Sequence, residues 1–231
     1  MGSCKKLAAP TSILVNERNA SKQHIWDFKT NTLTLFHSVL ANDADCNASQ
    51  GSPLVWFVEH GGDKIGNYNY GSASGFNVQY GTPYPYPKHV TVFGNSIIVM
   101  SRNDGTLKRY NASGVETQSV ATGITTGQGM ATDGTSLFVS VWNGAASVIQ
   151  RYNATLVLQQ TFANPTGLAE NNVVDLVYDA NTTHFLGLVT TGEGGTTTTS
   201  SKIVEFVMGG AVVQSFTLPI SMDGIGMNAC P

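Results

Sequence analysis

Charge is what this sequence has least of. Of its 231 residues, 12 are Lys or Arg and 15 are Asp or Glu, 12% in all, about half the usual share of ~25%. The formal net charge of −3 and pI near 5.9 leave no basic surface to track phosphates, so nucleic acid is not an expected partner. No apolar run approaches the ~18 residues that a membrane span needs. The composition also excludes a coiled coil, a helical bundle and a charge-rich disordered tail. No Gly-x-Ser-x-Gly elbow, Walker loop, Rossmann fingerprint or Cys-x-x-Cys pair occurs.

What is present is 41% hydrophobic sequence with 25 glycines, in short apolar runs separated by Asn, Ser and Thr. Read as strand triplets, the chain repeats itself. The first copy is Ser12–Asn16, Gln23–Phe28 and Thr32–Ser38; the second is Leu54–Glu59, Lys64–Tyr70 and Phe76–Tyr80. Then come Ser96–Ser101, Thr106–Asn111 and Val115–Val120, followed by Ser136–Trp142, Ser147–Asn153 and Leu156–Phe162. His184–Thr190, Lys202–Val207 and Ala211–Leu218 make the fifth. Copies start about 40 residues apart, the period of a four-stranded propeller blade. Leu107–Ser113 (LKRYNAS) and Ile149–Thr155 (IQRYNAT) match best. Each ends a strand in Tyr-Asn and turns on an Asn that tolerates the left-handed region and bonds its own backbone.

A fourth strand is expected before each triplet, as in Val90–Phe93, Gly129–Thr132 and Val174–Tyr178. The first triplet lacks one, and Gly226–Ala229 matches Gly129–Thr132. The expectation is therefore an all-β, five-bladed β-propeller whose C-terminal strand completes the first blade. Residues 12–231 form a single domain and residues 1–11 a tether. Gly192–Ser201 (GEGGTTTTSS) reads as a long hairpin loop.

Val55–Tyr68 (VWFVEHGGDKIGNY) resembles the blade motif of virginiamycin B lyase-like propellers: an aromatic-rich strand, Glu, a Gly-rich turn, Lys-Ile-Gly and a closing strand. Ser96–Asn111 and Ser136–Asn153 are similar to blades of the wider group that includes NHL repeats and gluconolactonase-like propellers. The resemblance implies the fold. For the lyase type it also implies a His/Glu cluster with a divalent metal, toward which only Glu59 and His60 fall in a matching motif. The lyase type has more blades than this chain holds.

Aligning the copies places Arg18, His60, Arg102, Trp142 and Thr191 just after, or at, the end of each second strand, with Glu17, Glu59, Ser101, Val141 and Thr190 one residue earlier. These loops share a face with the connections between blades, around the channel mouth. Arg18, His60, Arg102 and Trp142 there suit an anionic or sugar ligand, through bidentate Arg bonds and ring stacking. Tyr84 and Tyr86, in Pro83–Pro87 (PYPYP), join them on a proline-stiffened segment. The plainer reading is ordinary polar hairpin ends, with the tyrosines packed on a neighbouring blade.

Asp43, Asp45 and Asn47 have spacing that would place oxygens around Ca²⁺, but the sixth-position Gly is missing and Leu54 replaces the closing Glu, so a solvated loop is expected. No cofactor is expected, with Ca²⁺ or Mg²⁺ the only candidates. Asn19, Asn47, Asn111, Asn153 and Asn181 head Asn-x-Ser/Thr sequons. His24, His37 and His89 lie in or near strands and read as structural.

Met1–Lys6 (MGSCKK) carries no apolar h-region. It reads as a tag scar, as Cys4 lipidated in the manner of a bacterial lipoprotein, or, least well, as a myristoyl signal at Gly2. Three cysteines allow a Cys46–Cys230 bridge or a Cys4–Cys230 bridge, either worth about 2–4 kcal/mol, or three reduced thiols.

The expected function is an extracytoplasmic, monomeric binding module that presents one loop face to a glycan or partner protein, with any membrane attachment through an N-terminal lipid. The alternative is a metal-dependent lyase or lactonase at the channel mouth, with Glu59 and His60 as acid/base pair. A structural or adhesion component of a cell surface is the third reading.

Overall fold

A computed structural model describes residues 12–17, 22–38, 41–47, 54–59, 64–69, 78–81, 87–101, 105–111, 113–123, 126–180, 182–191 and 200–227. These residues form twenty strands and five antiparallel four-stranded sheets. The first sheet has the order β20-β1-β2-β3, from Met222–Met227, Ser12–Glu17, Lys22–Asp27 and Thr32–His37. The second is β4–β7: Ala41–Asn47, Leu54–Glu59, Lys64–Asn69 and Val78–Gly81. The third is β8–β11: Pro87–Phe93, Ser96–Ser101, Thr106–Tyr110 and Glu116–Ala121. The fourth is β12–β15: Gly127–Thr132, Leu137–Trp142, Ser147–Tyr152 and Leu158–Phe162. The fifth is β16–β19: Asn172–Asp179, His184–Thr190, Ser201–Phe206 and Val212–Leu218.

The first-listed strands of the sheets touch in cyclic order, β20 to β4, β8, β12, β16 and back to β20. The architecture is an all-β propeller. Second strands are buried on both faces, as in β13 (LFVSVW), whereas outer strands such as β15 (LQQTF) are mostly exposed. That gradient is why the second strands read as unbroken apolar runs and the outer ones alternate weakly.

The core lies in the seams between sheets. Ile98, Met100 and Leu107 of the third sheet pack on Leu137, Val139 and Tyr152 of the fourth. Phe138 and Ile149 of the fourth meet Phe185 and Phe206 of the fifth. Trp26, Val15 and Ile225 of the first meet Leu186, Leu188 and Ile203 of the fifth. Gly66 of the Lys-Ile-Gly motif lies directly across from Phe57. A Cβ there would stand 2.3 Å from the tip of that ring, so the glycine makes room for an aromatic laid across the neighbouring strand.

The matched Tyr-Asn turns work largely as expected. Asn111 Oδ1 accepts from the amides of Ser113 and Val115 at 2.9 and 3.0 Å, and Asn153 Oδ1 from those of Thr155 and Val157 at 3.0 and 2.9 Å. The left-handed residue is not the Asn, however, but Gly114 (φ 75°) and Leu156 (φ 59°).

Two expectations on segment boundaries change. The closing strand is Met222–Met227 rather than Gly226–Ala229, antiparallel to β1 with Ile13 opposite Met227 and Val15 opposite Ile225. The stretch holding Asp43, Asp45, Cys46 and Asn47, expected as a solvated loop, is strand β4, paired with β5 from Ala41 opposite Glu59 to Asn47 opposite Leu54. Backbone pairing along the whole of β5 outweighs the weak intrinsic strand preference of Asn and Asp. Cys4 and Cys230 lie outside the described residues, as do residues 1–11 and most of the Gly192–Ser201 stretch.

Ile225, 1% exposed, tests the closure. Replacing it with Ala is expected to cost about 2–5 kcal/mol in denaturant unfolding; a near-neutral effect would mean that β20 does not seal the ring. Burial also pushes the hydroxyls of Tyr110 and Tyr152 up to about 12, the Glu116 charge adding to the shift at Tyr110. An unfolded phenol ionises near 10, so these groups leave stability unchanged below pH 10. They lower it as pH rises from about 10 to about 12, by about 1.4 kcal/mol per pH unit for each tyrosine. Denaturant midpoints across that window should follow this slope, and Tyr110→Phe should reduce it by one tyrosine's share.

Candidate functional site

Every inner strand carries one extra residue at the same level of its sheet. The β-bulges set Asp223, Asn42, Lys88, Gln128 and Val174 outside the regular pairing of β20, β4, β8, β12 and β16. All lie toward the end of the molecule where the second strands finish, the face that also carries the loops between second and third strands. A bulge bends its strand and re-aims the following residue. Those residues are Gly224, Asp43, His89, Gly129 and Asp175.

The described members of this ring meet at the axis. His89 and Asp175 are both 0% exposed, with Nδ1 and Oδ1 3.6 Å apart. Asp175 Oδ2 accepts from the amide of Ile225 in the first sheet, and Oδ1 from its neighbour Leu176, each at 2.8 Å. Gly129 of the fourth sheet presses against the same residue. A Cβ on it would lie 2.3 Å from Asp175 Cα and 2.4 Å from Oδ1. One carboxylate thus touches elements of four sheets.

Above the ring, Lys88 Nζ donates to Gln128 Oε1 at 3.2 Å, bulge residue to bulge residue across two sheets. Farther out, Lys202 Nζ pairs with Glu170 at 2.9 Å. Serines that open third strands receive the starts of the next inner strands. Ser147 Oγ accepts from the amide of Val173 and Ser201 Oγ from that of Met222, each at 2.9 Å. The connection into β16 is stitched to the β13–β14 hairpin, with Asn171 Nδ2 on the Ala145 carbonyl and the Ser147 amide on the Asn171 carbonyl, both at 2.8 Å. This part of the face is a fixed platform.

Of the residues expected to form a ligand rim, Arg18, His60, Tyr84, Tyr86 and Arg102 lie outside the described residues. Glu59 ends β5 opposite Ala41 of β4. Trp142 ends β13 where expected, its amide on the Thr126 carbonyl at 3.0 Å. Its side chain is nearly enclosed, however, with 8% exposure, so it offers little ring surface for stacking. Thr191 is exposed. The sequence reading passed over Asp175 and Gly129 and took His89 as one more strand histidine. The signal lay in the column Asp43, His89, Gly129, Asp175 and Gly224, which lines up only once the bulges are counted.

No family model and no curated protein sequence matches the chain. Solved structures do. A chain of a nidogen/laminin complex is similar at TM-score 0.63 and 12% identity, over 95% of this chain and 99% of that one. Virginiamycin B lyase from Staphylococcus aureus is similar at TM-score 0.53 and 17% identity, over 90% of this chain and 71% of that one. Hydrazine synthase of Kuenenia stuttgartiensis is similar at 0.55 and 10%, over 78% of this chain and 49% of that one. At these identities the likeness shows the propeller fold, and the resemblance to the virginiamycin B lyase-like and NHL-like group holds at that level.

The packing at the axis makes Gly129 the least replaceable glycine described. Gly129→Ala is expected to cost about 3 kcal/mol, lowering Tm by roughly 6–12 °C for a chain of this size. Gly134→Ala, at φ 87° with open space around it, should cost only about 1–2 kcal/mol. Equal melting of the two variants in calorimetry would refute the close approach at Asp175.

Proposed function

We propose that the chain is a five-bladed propeller that works outside the cytoplasm as a binding module, offering its bulge-side loop face to a glycan or a partner protein. One observation carries this reading. Asp175 is enclosed between His89, Gly129 and Ile225 at the axis, which favours a partner that meets a face over one that enters a channel. The hydrogen-bonded platform from Asn143 to Val173 supports it, since a surface held in place before binding loses less entropy on binding. The chain from the nidogen/laminin complex, matching over nearly the full length of both proteins, adds a precedent for a propeller of this size in a protein complex. A low-charge surface rich in Asn, Ser and Thr suits an extracytoplasmic setting.

On that face Lys22, Lys88 and Lys202 are among the described cations. Arg18, His60, Arg102, Tyr84 and Tyr86 are the loop residues proposed to complete it. The guanidiniums would take carboxylate or sulfate groups bidentately, and the tyrosines would supply rigid contact area.

A thermal-shift screen of acidic glycans and anionic peptidoglycan fragments tests this. A ligand at a hundred times its Kd adds about 2.7 kcal/mol, or roughly 5–11 °C in Tm. The shift should be lost in Arg102→Ala or Arg18→Ala. A hit that survives both substitutions would overturn the assignment of the face. A shift requiring Ca²⁺ or Mg²⁺ and abolished in Glu59→Gln or His60→Ala would replace the binding module with the metal-dependent enzyme.

A further inference from the structure

One cavity lies away from the loop face. About 290 Å³ opens at the opposite end of the molecule, in the seam between the fifth and first sheets. Its lining has two halves. Phe28, in the turn after β2, and Phe216 of β19 form one, as the outer members of an aromatic group with Trp26. Their centroids lie 5.9 and 5.0 Å from the Trp26 ring and 6.5 Å from each other. The other half is polar. His184 Nδ1 and Glu205 Oε1 are 2.6 Å apart, and Gln214 Nε2 donates to Glu205 Oε2. Asp179 Oδ2 accepts from Thr182 Oγ1 at 3.0 Å nearby.

We infer that this seam pocket binds a single neutral sugar ring. A pyranose has an apolar C–H face and an edge of vicinal hydroxyls, and the pocket offers aromatic rings for the first and planar polar groups for the second. Glu205 is held through both oxygens, by His184 on one and Gln214 on the other, so its carboxylate is fixed before any ligand arrives. A carboxylate has about four lone-pair sites, leaving acceptors for a pair of hydroxyls. Phe28 and Phe216 are partly exposed while Trp26 beneath them is fully buried, the arrangement of a stacking floor on a rigid base.

The charges argue against other small ligands. Asp179 and Glu205 would repel an anion, and Lys29 at the rim would oppose an organic cation. The volume lies at the lower end of small-molecule sites, which run from about 300 Å³ upward, so it suits one ring rather than a chain.

The site is independent of the loop face, and the test keeps them apart. Intrinsic tryptophan fluorescence would be followed during titration with the methyl glycosides of glucose, galactose, mannose and N-acetylglucosamine, each to 100 mM, about a hundredfold excess over an affinity of about 1 mM. At least one should give a saturable change, because Trp26 lies under the stacking floor. That change should be absent in Trp26→Phe, while saturation-transfer NMR still shows the sugar bound. Phe28→Ala should abolish binding. Gln214→Ala, at an exposed position on an outer strand, leaves the fold intact and should weaken binding about tenfold. Lys88→Ala, on the bulge side of the molecule, should bind as the wild type does. No saturable binding of any of the four sugars would overturn the inference, as would binding unchanged in both Phe28→Ala and Gln214→Ala.

Discussion

Sheets can radiate from one axis only if the strands nearest it come closer than ordinary side chains permit. In this protein that limit is met at Asp175. Its carboxylate is fully buried, a state that costs several kcal/mol unless the charge is compensated. Compensation comes from the Ile225 amide in the first sheet and the Leu176 amide in its own strand, with the His89 imidazole of the third sheet 3.6 Å away. The fourth sheet contributes by having nothing there, since Gly129 leaves the space the carboxylate occupies. Such an arrangement says little about net stability. It does fix the angular position of four sheets, because any other rotation strands a charge.

Stability comes instead from the seams. Each described cluster of apolar residues lies between neighbouring sheets, as in repeat proteins whose units contact only their neighbours. A linear stack would leave one seam open at each end. Pairing β20 with β1 puts Ile225 beside Ile13, Val15 and Trp26, so the chain's last described strand supplies core to its first sheet and gives that sheet the same four strands as the others. The serines at 147 and 201 repeat the device on a smaller scale. Each begins a third strand and satisfies the first amides of the next inner strand, setting the step from sheet to sheet at the loop face.

How much of this could be read beforehand follows from where the patterns are regular. All fifteen triplet strands were legible, because their apolar residues recur without interruption and their turns carry Asn and Gly. The inner strands were legible only in part. Val90–Phe93 and Gly129–Thr132 are the portions of β8 and β12 beyond the bulge, and the extra residue breaks the period of two that marks a strand. β4 (ANDADCN) was missed altogether because its residues disfavour strands in isolation. Its place is set by β5 and by the axis. Trp142 shows the same limit at the candidate site. Its position at a strand end was visible, but its enclosure depends on Thr126 and a neighbouring connection that no local pattern announces.

The two candidate surfaces follow from the same geometry. Near the axis the sheets crowd around Asp175, and a small cavity lined by Val90, Met130, Leu176 and Ile225 lies beyond it, away from the bulges, so recognition on the bulge side rests on what the loops build there. Toward the periphery neighbouring sheets diverge, and each seam widens into a wedge that side chains must fill. Between the fourth and fifth sheets Phe138, Phe185 and Phe206 fill it, the first pair edge-on at 4.8 Å and the second stacked at 5.8 Å. Between the fifth and first sheets Trp26, Phe28 and Phe216 fill only the inner part, and polar side chains from β17, β18 and β19 border what is left. A wedge closed by apolar residues alone would have been the more stable solution. Glu205, its two oxygens engaged by His184 and Gln214 at the edge of an open cavity, is a costly group to hold still unless its orientation serves a ligand.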